Sequence, residues 1–205
     1  TKDSVLTDEI VKCLDSTEGP DYVYTISVQG HGDYPTTMPE GFIPGITVSG
    51  FFDEEEQVQF EYYVNQIHEM DTFIGELTNM LSRRNEETVL VMYGDHLPTM
   101  GLTVEDLKNK YLFQTQYVMW DNFGLEKKDE NLAAYQMAAE VMDRAGIHEG
   151  TIFRYHQARR NTRNYQVDLE TLQYDVLYGK KYSYDGESPF QRIKMRMGLY
   201  DVTLD

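Results

Sequence analysis

The sequence predicts an α/β domain built on a mostly parallel sheet with helices on both faces. Three features indicate it: an apolar segment at residues 22–28, a long amphipathic segment at residues 60–81, and a second apolar segment at residues 88–93. The order strand, long helix, strand is that of a βαβ unit, in which the helix carries the chain back so that the strands run parallel. The active site of such a sheet lies beyond the carboxyl ends of its strands.

The first elements precede the long amphipathic segment. Apolar residues at a spacing of four predict a helix over residues 4–14, with Cys13 buried in it. Residues 22–28 are rich in β-branched and aromatic side chains and predict a buried strand. Glycine, aspartate and proline at residues 29–35 predict a turn, and we expect a loop from there to about residue 52.

The long amphipathic segment is the clearest element of the sequence. Its apolar residues alternate steps of three and four, which describes one face of a helix: Phe60, Tyr63, Ile67, Met70, Ile74, Leu77 and Leu81. Asp53 and Glu56 have capping-box spacing at its start. Beyond it we predict strands at residues 88–93 and 116–120, a helix that stops at Gly146, and a helix around residues 169–176.

Composition excludes some classes of partner. The 205 residues can bury a core, and residues 1–205 are predicted to form a single domain. The formal net charge is −17, so a nucleic-acid partner is excluded because like charges repel. No apolar run approaches the roughly 20 residues of a membrane span. The chain begins at Thr1 without a methionine, and we expect it to be a piece of a longer protein.

Asp95 and His96 are the first candidates for chemistry. A carboxylate and an imidazole are good ligands for Zn²⁺ or Mn²⁺, and the pair directly follows a predicted strand. Gly94 is expected to give the tight backbone that lets the two side chains converge. The alternative is an ordinary turn, in which Asp95 caps backbone amides and His96 is only polar.

His31 is the second candidate, in the sequence Gly30-His31-Gly32-Asp33. A histidine at a strand end can contact an anionic substrate or a metal, or donate a proton to a leaving group. The alternative is a loop histidine without a function, and we interpret Asp33 as a turn residue. The parallel-sheet prediction places His31 on the same rim as Asp95 and His96.

Other candidate clusters favour structural interpretations. His68 and Asp71 lie three apart on the long helix, and we interpret them as part of its solvated face. His148 and His156 lie near Arg154, Arg159 and Arg160, which could bind phosphate but fit a surface cluster better. No P-loop, dinucleotide glycine motif, nucleophile elbow or paired-cysteine zinc motif occurs in the sequence.

Two segments together resemble a known family. The string from Tyr24 to His31, then a long helix, then the string from Val89 to His96, is similar to the lipoteichoic acid synthase-like sulfatase family of the alkaline phosphatase superfamily. The resemblance is clearest over about residues 1–125 and implies the C-terminal part of the catalytic domain, with the fold incomplete at the N-terminus. It implies an external location at the bacterial cytoplasmic membrane, with the membrane helices in a missing N-terminal region.

The resemblance assigns roles to three residues. Asp95 and His96 match the family's metal ligands, usually for Mn²⁺, and His31 matches a histidine that contacts the substrate's phosphate group. The family's threonine nucleophile and acidic metal ligand have no matching motif here, so no catalytic nucleophile is assigned, and Thr99 is interpreted as a loop residue. We therefore expect this chain alone to be inactive and to bind metal weakly.

The resemblance implies a metal-dependent phosphoglycerol transferase, sulfatase or phosphatase. Its substrate would be a phosphate or sulfate ester, such as a glycerophospholipid or a polyanionic glycan. A second hypothesis is a non-catalytic module that binds a glycan or a partner through its aromatic C-terminal region. A third is a divergent phosphatase or phosphoethanolamine transferase on the same fold.

Overall fold

A computed structural model describes residues 2–51 and 53–184, and the chain divides into two compact units, Thr1–Gly124 and Leu125–Asp205. The first unit contains two helices and two strands: α1 (Leu6–Leu14), α2 (Glu54–Leu81), β1 (Val89–Tyr93) and β2 (Tyr117–Asp121). The described part of the second, up to residue 184, contains three helices: α3 (Met137–Arg144), α4 (Thr151–Arg159) and α5 (Tyr165–Leu177). Short 3-10 helices lie at Asp3–Val5, Ala134–Gln136 and Tyr182–Tyr184. Across the described residues, no helix has the length and apolar character needed to cross a membrane.

Helix α2 organises the first unit. Its predicted cap is confirmed, because the Asp53 carboxylate accepts hydrogen bonds from the backbone N–H groups of Glu55 at 2.8 Å and Glu56 at 3.1 Å. The C-terminal half of α2 buries the core of the unit, and the apolar stripe of α1 packs against it. The core residues are Phe73, Leu77 and Leu81, with Leu6, Ile10, Leu14, Leu90 and Trp120 against them. Cys13 is exposed, so the prediction of a buried thiol is wrong.

The sheet differs from the predicted one. Strands β1 and β2 form where the sequence predicts them, but they pair antiparallel, with Val89 opposite Asp121 and Tyr93 opposite Tyr117. A parallel pair needs a crossover connection, usually a helix, whereas residues 94–116 contain none. The chain therefore turns back directly, and the mostly parallel sheet is not found among the described residues.

Residues 22–28 do not form the predicted buried strand. No strand is assigned to them, and the exposed fractions are 83% for Tyr22, 64% for Tyr24, 68% for Ile26 and 52% for Val28. The sequence prediction assumed a neighbouring strand and a covering layer, because an apolar alternation forms a strand only against such partners. The described part of the chain contains neither at this segment.

The predicted loop before α2 is anchored to that helix. The buried side chain of Asn65 accepts hydrogen bonds from the backbone N–H groups of Gly45 at 2.8 Å and Ile46 at 3.0 Å. It also donates to the carbonyl of Ile46 at 2.7 Å. One side chain thus satisfies three backbone groups of the loop, which holds the segment that follows His31 against α2.

The second unit buries a histidine and a glutamate beside its apolar residues. His156 of α4 is only 5% exposed, so the prediction of a surface cluster is wrong for this residue. Its Nδ1 lies 2.6 Å from the hydroxyl of Tyr165, and Glu140 of α3, also buried, pairs with Arg160. Helix α4 was not predicted, because its polar and apolar residues follow no clear amphipathic pattern.

Candidate metal-binding site

The pair Asp95 and His96 begins the loop that follows β1. The hydrogen bonding between the strands continues to Gly94, whose N–H donates to the Gln116 carbonyl at 3.2 Å. The carbonyl of Gly94 accepts a hydrogen bond from the Thr115 hydroxyl at 2.6 Å. The loop therefore starts from a fixed point, and both side chains project toward solvent, with exposed fractions of 81% for Asp95 and 51% for His96.

The imidazole of His96 is held in one tautomer. Its Nδ1 lies 2.8 Å from the carbonyl oxygen of Leu97, and a carbonyl oxygen can only accept, so Nδ1 carries the proton. In the neutral ring Nε2 then has a free lone pair. A histidine that binds a metal commonly has this arrangement, with the other ring nitrogen bonded to a backbone carbonyl or a carboxylate.

The free nitrogen of His96 faces its neighbour. Its Nε2 lies 3.7 Å from Oδ1 of Asp95. Ligand atoms each about 2.0–2.2 Å from a Zn²⁺ or similar ion are separated by no more than roughly 4.4 Å, so both atoms can reach the same ion. The donor set and its spacing fit two ligands of a divalent metal.

The described residues supply no larger metal cluster. Within residues 2–51 and 53–184, no group of three or more histidine, cysteine, aspartate or glutamate side chains is placed to hold an ion. Asp95 and His96 would therefore be only two of the ligands that a metal site needs. Their assignment as metal ligands stays a prediction.

His31 lies beside this pair. Its ring and that of His96 are 5.5 Å apart between centroids, in an edge-to-face arrangement with an angle of 75°. His31 is exposed, and its backbone N–H donates to the Val28 carbonyl at 3.1 Å, which closes a tight turn. His31 and His96 lie close together as expected, although the parallel sheet on which that expectation rested is not found among the described residues. The role of His31 toward substrate stays a prediction.

Two tyrosines that the sequence analysis did not single out lie next to the site. The hydroxyls of Tyr24 and Tyr93 are 3.3 Å apart, and Tyr93 directly precedes Gly94. The hydrogen bond with Tyr24 raises the pKa of Tyr93, and partial burial and the negative charge of Asp95 add to the increase. Nothing in the spacing of residues 24 and 93 could have indicated this contact, because it joins distant parts of the chain.

The expected backbone role of Gly94 is wrong. Gly94 does not have the left-handed backbone conformation that favours glycine, and a Cβ there would meet Thr115 at 3.5 Å, an ordinary contact. The convergence of Asp95 and His96 therefore does not depend on the missing side chain. It follows from the strand end and from the Leu97 carbonyl.

The remaining candidates lie elsewhere. His68 and Asp71 are exposed on α2, which confirms the interpretation as a solvated helix face. Thr99 lies in an exposed loop and lines a surface cavity with acidic residues at the start of α2. His148 is exposed and its Nδ1 lies 3.3 Å from Oδ1 of Asp143, a contact of two surface groups.

Comparison with known proteins gives a family and one relative. The Sulfatase family model matches residues 1–147. The chain is 25% identical over 223 residues to the "Putative cyclic beta-1,2-glucan modification protein" of Rhizobium meliloti (strain 1021). The match covers 88% of this chain and 35% of the relative, so the chain spans about a third of the relative's length. No solved structure matches the chain significantly.

Proposed function

Because this chain belongs to the Sulfatase family, we propose that it forms part of a metal-dependent enzyme that transfers or hydrolyses phosphate or sulfate esters. The observation that carries the proposal is the approach of His96 Nε2 to Asp95 Oδ1 at 3.7 Å, with His31 beside them. Phosphoryl and sulfuryl groups are both tetrahedral anions, and the three side chains offer no feature that separates them.

Each residue has a distinct role in this proposal. Asp95 and His96 would hold the ion, which we propose to be Mn²⁺. A bound ion of this kind lowers the pKa of a coordinated hydroxyl and stabilises negative charge on the transferred group. His31 would donate a hydrogen bond from its ring to an oxygen of the phosphate or sulfate and so orient the anion.

The proposed substrate is inferred from the name of the relative. That name refers to modification of a cyclic β-1,2-glucan, and we propose that the full-length protein acts on a glycan at the cell envelope. The transferred group would be phosphoglycerol from a lipid donor, as the resemblance to the lipoteichoic acid synthase-like subfamily implies. With a net charge of −17, the chain would repel an anionic donor, so the metal would also serve to attract it.

The chain alone is proposed to be inactive. Its sequence contains no match to the family's threonine nucleophile or acidic metal ligand, so the site has two proposed ligands and no acceptor. Turnover of a phosphate or sulfate ester by the isolated chain, abolished by His96→Ala, would contradict this part of the proposal.

Metal binding provides the direct test. Titration calorimetry with Mn²⁺ should show one weak site in this chain, and Asp95→Asn or His96→Ala should each weaken it at least about tenfold, since even residues that orient metal ligands affect affinity about 10- to 100-fold. His68→Ala is the matched control, because His68 is an exposed histidine of the same unit with an aspartate three residues away. It should leave the affinity unchanged.

An affinity that is indifferent to Asp95 and His96 would favour the second hypothesis, a binding module. One observation supports that alternative: Tyr174, Tyr178 and Tyr182 are 64%, 76% and 75% exposed, and the rings of the first two lie 5.9 Å apart. Exposed aromatic faces of this kind can stack on sugar rings. The rest of the predicted aromatic C-terminal region, residues 185–205, lies outside the described residues.

A further inference from the structure

A buried carboxylate stands at the start of the first unit. Asp3 is 2% exposed and accepts hydrogen bonds from three donors of a distant segment. The backbone N–H groups of Val28 and Gln29 are both 3.3 Å from its Oδ1, and the Ser27 hydroxyl donates to its Oδ2. One buried side chain thus satisfies two backbone N–H groups and a hydroxyl of residues 27–29, which ties this segment to the start of the unit.

Gln29 extends the contact to helix α2. Its side-chain oxygen accepts from the backbone N–H of Asp3 at 2.8 Å. Its side-chain nitrogen donates to Gln66 at 3.1 Å and also to Glu69, both on α2. Gln66 is itself buried, so the chain is fixed to the helix two residues before His31.

The turn that carries His31 is also held on its other side. The hydroxyl of Tyr34 donates to the Gly30 carbonyl at 2.7 Å, and the buried Tyr34 ring packs edge-on against Tyr63 of α2. His31 lies exposed between these two anchors. Its position relative to His96 therefore depends on where the anchors place the turn.

We propose that Asp3 is a positioning residue, whose carboxylate places the turn at Gly30–His31 so that the His31 ring lies beside His96. This inference rests on the proposed function, because a fixed distance between the two rings matters only if His31 contacts the group that the metal binds. Asp3 touches neither the proposed ion nor the substrate, and its effect passes through Val28, Gln29 and the turn.

Histidine ring resonances in the 205-residue chain provide the test. Mn²⁺ is paramagnetic and broadens the signals of nearby nuclei, so in the native chain the His96 and His31 signals should vanish before that of His68. In Asp3→Ala, His96 should still broaden at the same Mn²⁺ concentration, whereas the His31 signal should persist. Asp3→Asn keeps an oxygen acceptor for the N–H groups of Val28 and Gln29. In this variant the His31 signal should therefore again vanish when Mn²⁺ is added.

The outcomes separate the two proposals. Native spectra in which Mn²⁺ does not broaden His96 first would overturn the proposed metal site itself. If the native spectra follow expectation but His31 and His96 still broaden together in Asp3→Ala, the positioning role is overturned. The proposed metal site is then unaffected. Folding of Asp3→Ala is judged by the signals of Phe73, a core residue of the same unit. If that variant does not fold, Ser27→Ala and Gln29→Ala each remove one of the hydrogen-bonded links and give the same comparison.

Discussion

At the scale of single residues, the tautomer of His96 is the most informative feature. The Nδ1–H of His96 donates a hydrogen bond to the Leu97 carbonyl, which leaves the Nε2 lone pair free on the side of Asp95. A sequence shows that a histidine is present, but it does not show which ring nitrogen can bind a metal. That property arises from a backbone group one residue away, and it distinguishes a potential ligand from a polar surface histidine.

Gly94 gives a prediction at this scale. Since a Cβ at Gly94 would make only ordinary contacts, Gly94→Ala should change the free energy of unfolding by no more than about 0.5 kcal/mol and should leave Mn²⁺ affinity unchanged. Gly179→Ala is the contrasting variant, because its Cβ would lie 2.7 Å from the backbone Cα of Asp175. It should cost about 1 kcal/mol or more in urea unfolding. Equal losses in the two variants would show that Gly94 has a backbone role after all.

At the scale of elements, helices α4 and α5 meet through a buried imidazole. The ring of His156 is enclosed by three tyrosines, Tyr135, Tyr155 and Tyr165, and burial lowers its pKa. The folded unit therefore holds His156 neutral. The unfolded chain binds a proton there more readily, which makes the stability of this unit depend on pH.

The sign of that dependence follows from the lowered pKa. Above about pH 6.5 the imidazole is neutral in both states and contributes no difference. As the pH falls below that value, the unfolded state gains a proton that the folded state does not, so stability decreases until the lowered folded pKa is reached. Thermal unfolding of the native chain between about pH 7 and about pH 5 should show this loss, and His156→Gln should reduce it.

Carboxylates provide the control for that measurement. Burial alone would raise the pKa of Glu140. Hydrogen bonds from Arg160 and Lys128 together have the larger effect, so the pKa is lowered. The contribution of Glu140 to stability is therefore lost only below the ordinary pKa of a glutamate. That pH is lower than the pH at which His156 affects stability. An unchanged loss near about pH 6 in His156→Gln would assign the effect to another group.

The sequence predicted local elements better than their pairing. Helices α1 and α2 follow from the spacing of Leu6, Ile10 and Leu14 and from the long apolar series ending at Leu81, because amphipathic periodicity is a local property. The antiparallel pairing of β1 with β2 follows because residues 94–116 form no crossover helix. Residues 22–28 are exposed because the described residues provide no strand to pair with them and no layer to cover them. The contact of His31 with His96 was expected because both residues were predicted to lie at one edge of a parallel sheet. That sheet is not found among the described residues.

At the scale of the whole molecule, a strongly acidic chain carries a row of exposed apolar side chains. Tyr22, Tyr24, Ile26 and Val28 are each more than half exposed, in alternation along one segment. Exposed apolar side chains in such a group commonly mark an interaction site or promote association. The net charge of −17 opposes association between copies, so the two effects compete.

This competition predicts salt-dependent self-association of the isolated chain. At low ionic strength, repulsion should keep the chain monomeric, and salt at about 0.5 M should screen it and allow the apolar rows to associate. Sedimentation velocity would measure the change. Ile26→Lys should abolish it, whereas Ile43→Lys should not, since Ile43 is 88% exposed but lies outside the row. A chain that remains monomeric at all salt concentrations would contradict this prediction.

The bond between His96 and the Leu97 carbonyl also bears on how the site tolerates mutation. The bond uses no atom of the Leu97 side chain, so most substitutions at position 97 preserve it. The direction of that carbonyl is limited instead by the next residue, Pro98, because a proline disfavours helical conformations of the residue before it. In a mutational scan of this loop, the orientation of the His96 ring should therefore be more sensitive to substitutions at position 98 than to those at position 97.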